Sequence, residues 1–140
     1  MRSYIIAVDF DGTVVEDNYP KIGKPMLFAF ETLKQLSMQG HRLVLWTYRS
    51  GKELEEAVEF CRENGVEFYA VNSSFEGEIF DQEKQSRKIH ADLFIDDRNL
   101  GGFPGWGETL QIINNKIQFS LSKNGVEKEK KKKKRGFFGL

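Results

Sequence analysis

Residues 3–13 read SYIIAVDFDGT, an apolar run rich in β-branched residues that stops at Asp9. Because its apolar residues are consecutive, the run predicts a strand that is buried on both faces, as in a parallel sheet. The Asp-Gly-Thr sequence that follows predicts a turn. Similar runs occur at residues 41–47, 66–72 and 91–97, so we predict four strands.

The segments between the first three strands have apolar residues at helical spacing. The first segment spans residues 25–39, with Pro25 placed for a first turn and Gly40 as its end. The second begins at Ser50 or Gly51 and ends at Asn64-Gly65. A third pattern, over residues 106–122, predicts a helix that closes the domain. The apolar faces of the first two helices are formed by Met26, Phe30, Leu33 and Leu36, and by Leu54, Ala57, Val58 and Cys61.

Strands that alternate with helices predict an α/β fold: a Rossmann-like three-layer sandwich with a mainly parallel sheet and helices on both faces. A chain of 140 residues has room for one ordinary domain. We assign residues 1–122 to that domain and residues 123–140 to a basic tail. The tail has eight basic and two acidic residues, whereas the domain has thirteen basic and nineteen acidic residues. Six consecutive cations at 130–135 repel one another, so we expect the tail to be disordered.

Several classes of protein are excluded by composition. No apolar run approaches the length of about 20 residues that spans a bilayer, and the first apolar run is too short for a secretory signal, so we expect a cytoplasmic protein. The one cysteine, Cys61, cannot form an intramolecular disulfide, and its helical position predicts a core residue. His41 and His90 precede strands, so neither is expected to be catalytic.

Polar residues follow three of the predicted strands. Asp9 and Asp11 follow the first strand, Thr47 and Arg49 the second, and Asp96-Asp97 the fourth, with Lys88 just before it. Each alone is explained by an ordinary turn or helix cap. Together they predict a site at the carboxyl edge of the sheet, where ligands of open α/β sheets bind. Clustered carboxylates without nearby histidine or cysteine ligands favour Mg²⁺.

These segments, in this order, resemble the four motifs of the haloacid dehalogenase-like (HAD) hydrolase superfamily over roughly residues 4–113. The resemblance implies a phosphatase that hydrolyses a phosphate monoester. By this resemblance, Asp9 of this chain would be the nucleophile that forms an aspartyl-phosphate. Asp11 would be the general acid and then the general base. Thr47 would bind the phosphoryl group. Lys88, with Lys84 as the alternative, would neutralise its charge.

The resemblance also implies the ligands of Mg²⁺. These are Asp9, Asp96 and the backbone carbonyl of Asp11, with Asp97 binding directly or through water. The resemblance further implies phosphate ester hydrolysis or phosphomutase chemistry, because the family's dehalogenases and P-type ATPases do not carry an acid at the position of Asp11. The substrate is left open among a sugar phosphate, a nucleotide, a nucleic acid end and a phosphoprotein.

The spacing of the motifs leaves no room for a cap domain. Asp9 and Thr47 are 38 residues apart, and Thr47 and Lys88 are 41 apart. We therefore expect an open active site, closed if at all by a neighbouring subunit in a homo-oligomer. A flap at residues 14–24 and the segment 72–87 are the expected specificity elements. Arg49 is expected to bind substrate with Thr47 and Lys88, although Tyr19, Lys21, Arg49 and Arg87 could equally be solvated loop residues.

A second hypothesis follows from the tail. The chain would then be a non-catalytic binding module of HAD fold, whose basic tail contacts an anionic membrane or a nucleic acid. A tail that only raises solubility explains the same composition. The presence of every expected catalytic residue favours the phosphatase.

Overall fold

The computed structural model describes residues 2–116 of the chain. Four strands form one sheet: β1 (Ile5–Val8), β2 (Arg42–Leu45), β3 (Ala70–Val71) and β4 (Leu93–Ile95). Their order is β3-β2-β1-β4 and every pairing is parallel. The predicted α/β fold with a parallel sheet is therefore confirmed.

Three helices accompany the sheet in the described residues. Helix α1 spans Ala29–Met38, α2 spans Gly51–Glu63, and α3 runs from 106 to 116, where the described residues end. The predicted start of α1 near Pro25 is wrong. Pro25 forms an antiparallel bridge with Val15, and the Met26 N–H donates to the Val14 carbonyl at 2.8 Å, so helical hydrogen bonding starts later.

The apolar side chains of alternate strand residues form two clusters. Ile6 and Val8 of β1 belong to a large cluster with Leu33 of α1 and Cys61 of α2. Ala7 belongs to a smaller cluster with Ile89. The sheet is thus the middle of three layers, but the second face is covered by the irregular segment 72–92 and not by a helix in the described residues.

Two residues that the sequence excludes from catalysis are buried. Cys61 is fully buried in the core, which confirms its predicted position, and this burial raises the pKa of its thiol to about 12. His41 lies before β2, at the amino end of the sheet, where its ring stacks on Tyr4 at 5.5 Å. Its Nδ1 accepts the Tyr4 backbone N–H at 3.0 Å.

The two segments that could carry a cap are short and irregular. Residues 9–28 connect β1 to α1, and residues 72–92 connect β3 to β4, without a further domain in either. None of the helices within residues 2–116 is both long enough and apolar enough to cross a bilayer. The predicted basic tail, residues 123–140, lies outside the described residues and stays a prediction.

Candidate functional site

The pairing of the strands places the acidic residues at one edge of the sheet. Val8 of β1 is in register with Leu45 of β2 and with Ile95 of β4. The pairing continues for one residue, because the Asp9 N–H donates to the Ile95 carbonyl at 2.9 Å. The chain therefore leaves all three strands at one level, and Asp9, Thr47 and Asp96 all line one cleft.

Three carboxylates meet at this edge. Asp9, Asp96 and Asp97 each place one oxygen within 4.8 Å of the others. Burial raises the pKa of Asp9 to about 7, helped by a hydrogen bond with Asp97 and by the negative charge of Asp96. A hard divalent cation would offset this repulsion, and an all-oxygen donor set fits Mg²⁺. The three aspartates are therefore the candidate metal site.

Thr13 joins two of these carboxylates. Its Oγ1 lies 3.0 Å from Asp9 Oδ2 and 3.1 Å from Asp97 Oδ1, and it accepts the Asp97 backbone N–H at 3.0 Å. Since a hydroxyl has one hydrogen, it donates fully to only one of the two carboxylates at a time. From the sequence, Thr13 was interpreted only as part of a turn. Its hydroxyl, four residues after Asp9, is the feature that could have indicated a contact with the carboxylates.

Gly12 is required by the approach of Asp97. Its φ is +86°, and a Cβ at this position would lie 2.5 Å from Asp97 Oδ2. Both the positive φ and the lack of space for a Cβ therefore favour glycine at this position. The turn predicted after Asp11 thus brings Asp97 close to the backbone of β1's carboxyl end.

The Asp11 carboxylate is not part of this group of aspartates within residues 2–116. Both of its oxygens accept from Arg49, from Nε to Oδ2 at 2.7 Å and from Nη2 to Oδ1 at 2.8 Å. The Arg49 side chain is 1% exposed, so it is not a solvated loop residue. Two aromatic rings lie against the guanidinium. The ring centroids of Phe10 and Tyr19 are 5.1 Å and 5.2 Å from its central carbon.

Thr47 is positioned by its neighbours at the end of β2. Its backbone N–H donates to Asn72 Oδ1 at 2.8 Å, and its Oγ1 accepts the Arg49 backbone N–H at 3.1 Å. Asn72 has φ 52°, a conformation that asparagine adopts more readily than most residues. Asn72 therefore orients Thr47, a role that the sequence did not reveal.

The two candidate lysines lie elsewhere. Lys88 Nζ lies 5.7 Å from the ring centroid of Phe94, a residue packed against the smaller apolar cluster. Lys84 Nζ lies 4.0 Å from Asp81 Oδ2 on the exposed part of segment 72–92. Neither lysine lines the cleft formed by the described residues. The choice between them stays a prediction.

The cleft that holds Asp9 has a volume of about 590 Å³. Aromatic residues form part of its wall, and Tyr48 is fully exposed there while Tyr19 is 56% exposed. Lys21 and Arg87 do not contribute to this wall among the described residues. Besides the acids, the cleft is lined by Tyr19, Trp46, Thr47, Tyr48, Arg49 and Arg98.

Comparison with known proteins gives one informative match. No family model matches the chain, and no curated protein matches it. A solved structure described as the conserved protein coded by a locus from Bacteroides thetaiotaomicron is 52% identical to this chain, with a TM-score of 0.78. The match covers 82% of this chain and 93% of that protein. At this identity and coverage, the chain belongs to the same protein family as the conserved Bacteroides thetaiotaomicron protein.

Proposed function

We propose that this protein is a Mg²⁺-dependent phosphatase of the haloacid dehalogenase-like superfamily, which hydrolyses a phosphate monoester in an open cleft. The observation that carries the proposal is the meeting of Asp9, Asp96 and Asp97 at the carboxyl edge of the sheet. Asp11 and Thr47 line the same cleft, as the resemblance of the motifs implies. A structural acid cluster would not need these two residues beside it.

Asp9 and Asp11 divide the chemistry between them. An oxygen of Asp9 attacks phosphorus, the bond from phosphorus to the ester oxygen breaks, and Asp11 gives its proton to the departing oxygen. Water then attacks phosphorus, Asp11 takes a proton from that water, and the bond to Asp9 breaks to release inorganic phosphate. Asp9 and Asp11 are thereby returned to their starting states.

Attack by a carboxylate on a phosphate ester brings two anions together. Mg²⁺, when bound by Asp9, Asp96, the Asp11 carbonyl and Asp97, supplies positive charge that offsets this repulsion. The Thr47 hydroxyl would donate to an oxygen of the phosphoryl group. Asn72 holds the Thr47 backbone N–H, and the Arg49 backbone N–H donates to the hydroxyl oxygen and so orients it. Lys88 would add charge only after its side chain leaves the Phe94 ring.

The absence of a cap in the described residues suits hydrolysis. The cleft is open to water, which must reach the phosphorus in the second step. It also admits a large phosphorylated substrate, because no domain among residues 2–116 covers it. Release of phosphate, and not its transfer, is therefore the expected outcome.

The deciding experiment is hydrolysis of p-nitrophenyl phosphate with Mg²⁺ and then with EDTA. We expect Asp9→Asn to lower kcat by at least about a thousandfold, because it removes the nucleophile. Asp81→Asn changes an aspartate outside the cleft and is the matched control. Turnover by a folded Asp9→Asn protein at the wild-type rate would contradict the proposal. Equal activity in EDTA would remove Mg²⁺ from it.

A further inference from the structure

We infer that Arg49 is a positioning residue, which fixes the carboxylate of Asp11 and ties the flap (residues 14–24) to it. The inference rests on the proposed function, in which Asp11 is the general acid. It replaces the expectation from sequence that Arg49 binds substrate.

The guanidinium of Arg49 has no spare donor. Nε and one Nη2 hydrogen bind Asp11, and the other donors reach backbone carbonyls. The three carbonyl contacts are Nη1 to Pro20 at 3.1 Å, Nη1 to Glu53 at 3.3 Å and Nη2 to Lys21 at 2.8 Å. A guanidinium has five N–H groups, and all five have acceptors here. Binding a phosphate would break one of these bonds.

The fork geometry fixes Asp11 in both position and plane. Two parallel N–H···O bonds restrain a carboxylate more than one bond does, and an arginine supplies them from a single rigid group. The Arg49 side chain is 1% exposed and that of Asp11 is 18% exposed, so water competes little for these bonds. The two bonds to Arg49 use one lone pair on each Asp11 oxygen. A proton on Asp11 would occupy one of the remaining lone pairs, so Arg49 sets the direction in which Asp11 exchanges a proton with the leaving oxygen or with water.

The same guanidinium holds the tip of the flap. Pro20 and Lys21, whose carbonyls accept from Arg49, are flap residues, and the Tyr19 ring lies against the guanidinium. The base of the flap is held separately, because the Glu16 N–H donates to the Lys24 carbonyl at 2.7 Å. Displacement of the tip would therefore break bonds to the group that orients Asp11.

Kinetics with two leaving groups test the positioning role. Arg49→Lys keeps the positive charge but cannot form the two parallel hydrogen bonds to the Asp11 carboxylate. We expect it to lower kcat/KM for an alkyl phosphate by about ten- to a hundredfold. This ratio reports the steps up to formation of the aspartyl-phosphate, in which Asp11 acts as the acid. With p-nitrophenyl phosphate the loss should be much smaller, because that leaving group needs little help from an acid. Arg62→Lys, at a half-exposed position of α2, is the matched control.

A double variant separates positioning from a general structural effect. If Arg49 acts through Asp11, Asp11→Asn with Arg49→Lys should be no slower than Asp11→Asn alone. Equal losses of kcat/KM for both leaving groups, a rise in KM with kcat unchanged, or additive losses in the double variant would overturn the positioning role. Thermal unfolding shows whether each variant is folded. If Arg49→Lys does not fold, the isosteric Asp11→Asn still tests whether the pairing of Asp11 with Arg49 holds the flap.

Hydrogen exchange tests the link to the flap without any activity. We expect the Tyr19 amide, which donates to Asp17 Oδ1 at 3.3 Å in the tip of the flap, to exchange faster in both Arg49→Lys and Asp11→Asn, while the amides of β1 stay protected. Unchanged exchange at the flap in both variants would overturn the link. A wild-type protein without phosphatase activity would instead refute the proposed function and leave the exchange result standing.

Discussion

The indole N–H of Trp106 donates to the backbone carbonyl of Thr13 at 2.8 Å, and so joins α3 to the turn that follows β1. Trp106 is 2% exposed, and the side chain of Thr13 contacts both Asp9 and Asp97. The first residue of α3 thereby supports the residue that connects two of the three clustered aspartates.

Trp106→Phe keeps an aromatic ring but removes the donor. The buried Thr13 carbonyl then has no indole partner, so we expect the free energy of unfolding to fall by about 1–3 kcal/mol. Urea denaturation measures this change. Trp46→Phe, at a half-buried position, is the control and should cost less. An equal cost at both positions would mean that loss of the larger ring, and not of the hydrogen bond, explains the effect.

Mg²⁺ should stabilise the protein through the three aspartates. Ligand that binds only the folded state raises its stability, by about 2.7 kcal/mol at a hundredfold excess over Kd. We therefore expect millimolar Mg²⁺ to raise Tm in the wild type and to have a much smaller effect in Asp96→Asn. Asp81→Asn should respond as the wild type does. A Tm that Mg²⁺ leaves unchanged in the wild type would argue against a metal site.

Glycines 12 and 40 offer a matched comparison. Both have positive φ, +86° and +91°, but only at Gly12 would a Cβ meet Asp97, while at Gly40 it meets no atom within 4 Å. We expect Gly40→Ala to cost about 1 kcal/mol of unfolding free energy from backbone strain. Gly12→Ala should cost more and should also weaken Mg²⁺ binding, since Asp97 must move. Similar effects of the two substitutions would show that Asp97 can move aside freely.

His41 should make stability depend on pH. Burial lowers its pKa below the ordinary value of 6.5, so between these two pKa values the unfolded chain binds more protons than the folded one. Stability from this residue is therefore full above pH 6.5 and is lost as the pH falls through the folded pKa. Asp9, with a raised pKa, has the opposite trend, so the comparison must isolate His41.

The test compares urea unfolding of the wild type and His41→Gln at pH 7.5 and pH 5. Glutamine can accept the Tyr4 N–H through its side-chain oxygen and does not titrate. We expect the wild type to lose more stability than the variant on acidification, by about 1.4 kcal/mol for each unit of pKa difference. Identical slopes in wild type and His41→Gln would show that burial of His41 is unimportant.

The two candidate lysines can be told apart by turnover. If Lys88 reaches the cleft with substrate bound, Lys88→Ala should lower kcat by at least about tenfold, because it removes charge that stabilises the transition state. Lys52→Ala, at an exposed position of α2, should have no effect. A loss in Lys84→Ala with none in Lys88→Ala would assign the role to Lys84.

The sequence predicted the parts of the fold that local patterns determine. Consecutive apolar residues predicted the buried strands, and helical spacing predicted that Leu33, Leu36 and Cys61 are buried, as they are. The convergence of Asp9 and Asp96 followed from the rule that parallel strands end at one edge. The start of α1 was mispredicted because Pro25 pairs with Val15, a contact that no helical pattern records.

The sequence did not predict contacts between residues that are far apart in the chain. Arg49 and Asp11 are 38 residues apart, and the guanidinium that pairs with Asp11 also binds the carbonyls of Pro20 and Lys21, which lie in another segment of the chain. A cation near a predicted site is usually interpreted as a substrate ligand, because its burial cannot be known from sequence. Lys88 illustrates the same limit, since its position before β4 says nothing about which face of the sheet its side chain covers.

The position of β1 between β2 and β4 has a consequence for synthesis on the ribosome. Asp96 and Asp97 emerge more than eighty residues after Asp9, directly after β4, the strand that pairs with the other side of β1. A nascent chain that ends before β4 has β1 as an open sheet edge, which is prone to pair with other chains. Asp9 therefore stays without its companion acids until β4 and the residues that follow it have been translated.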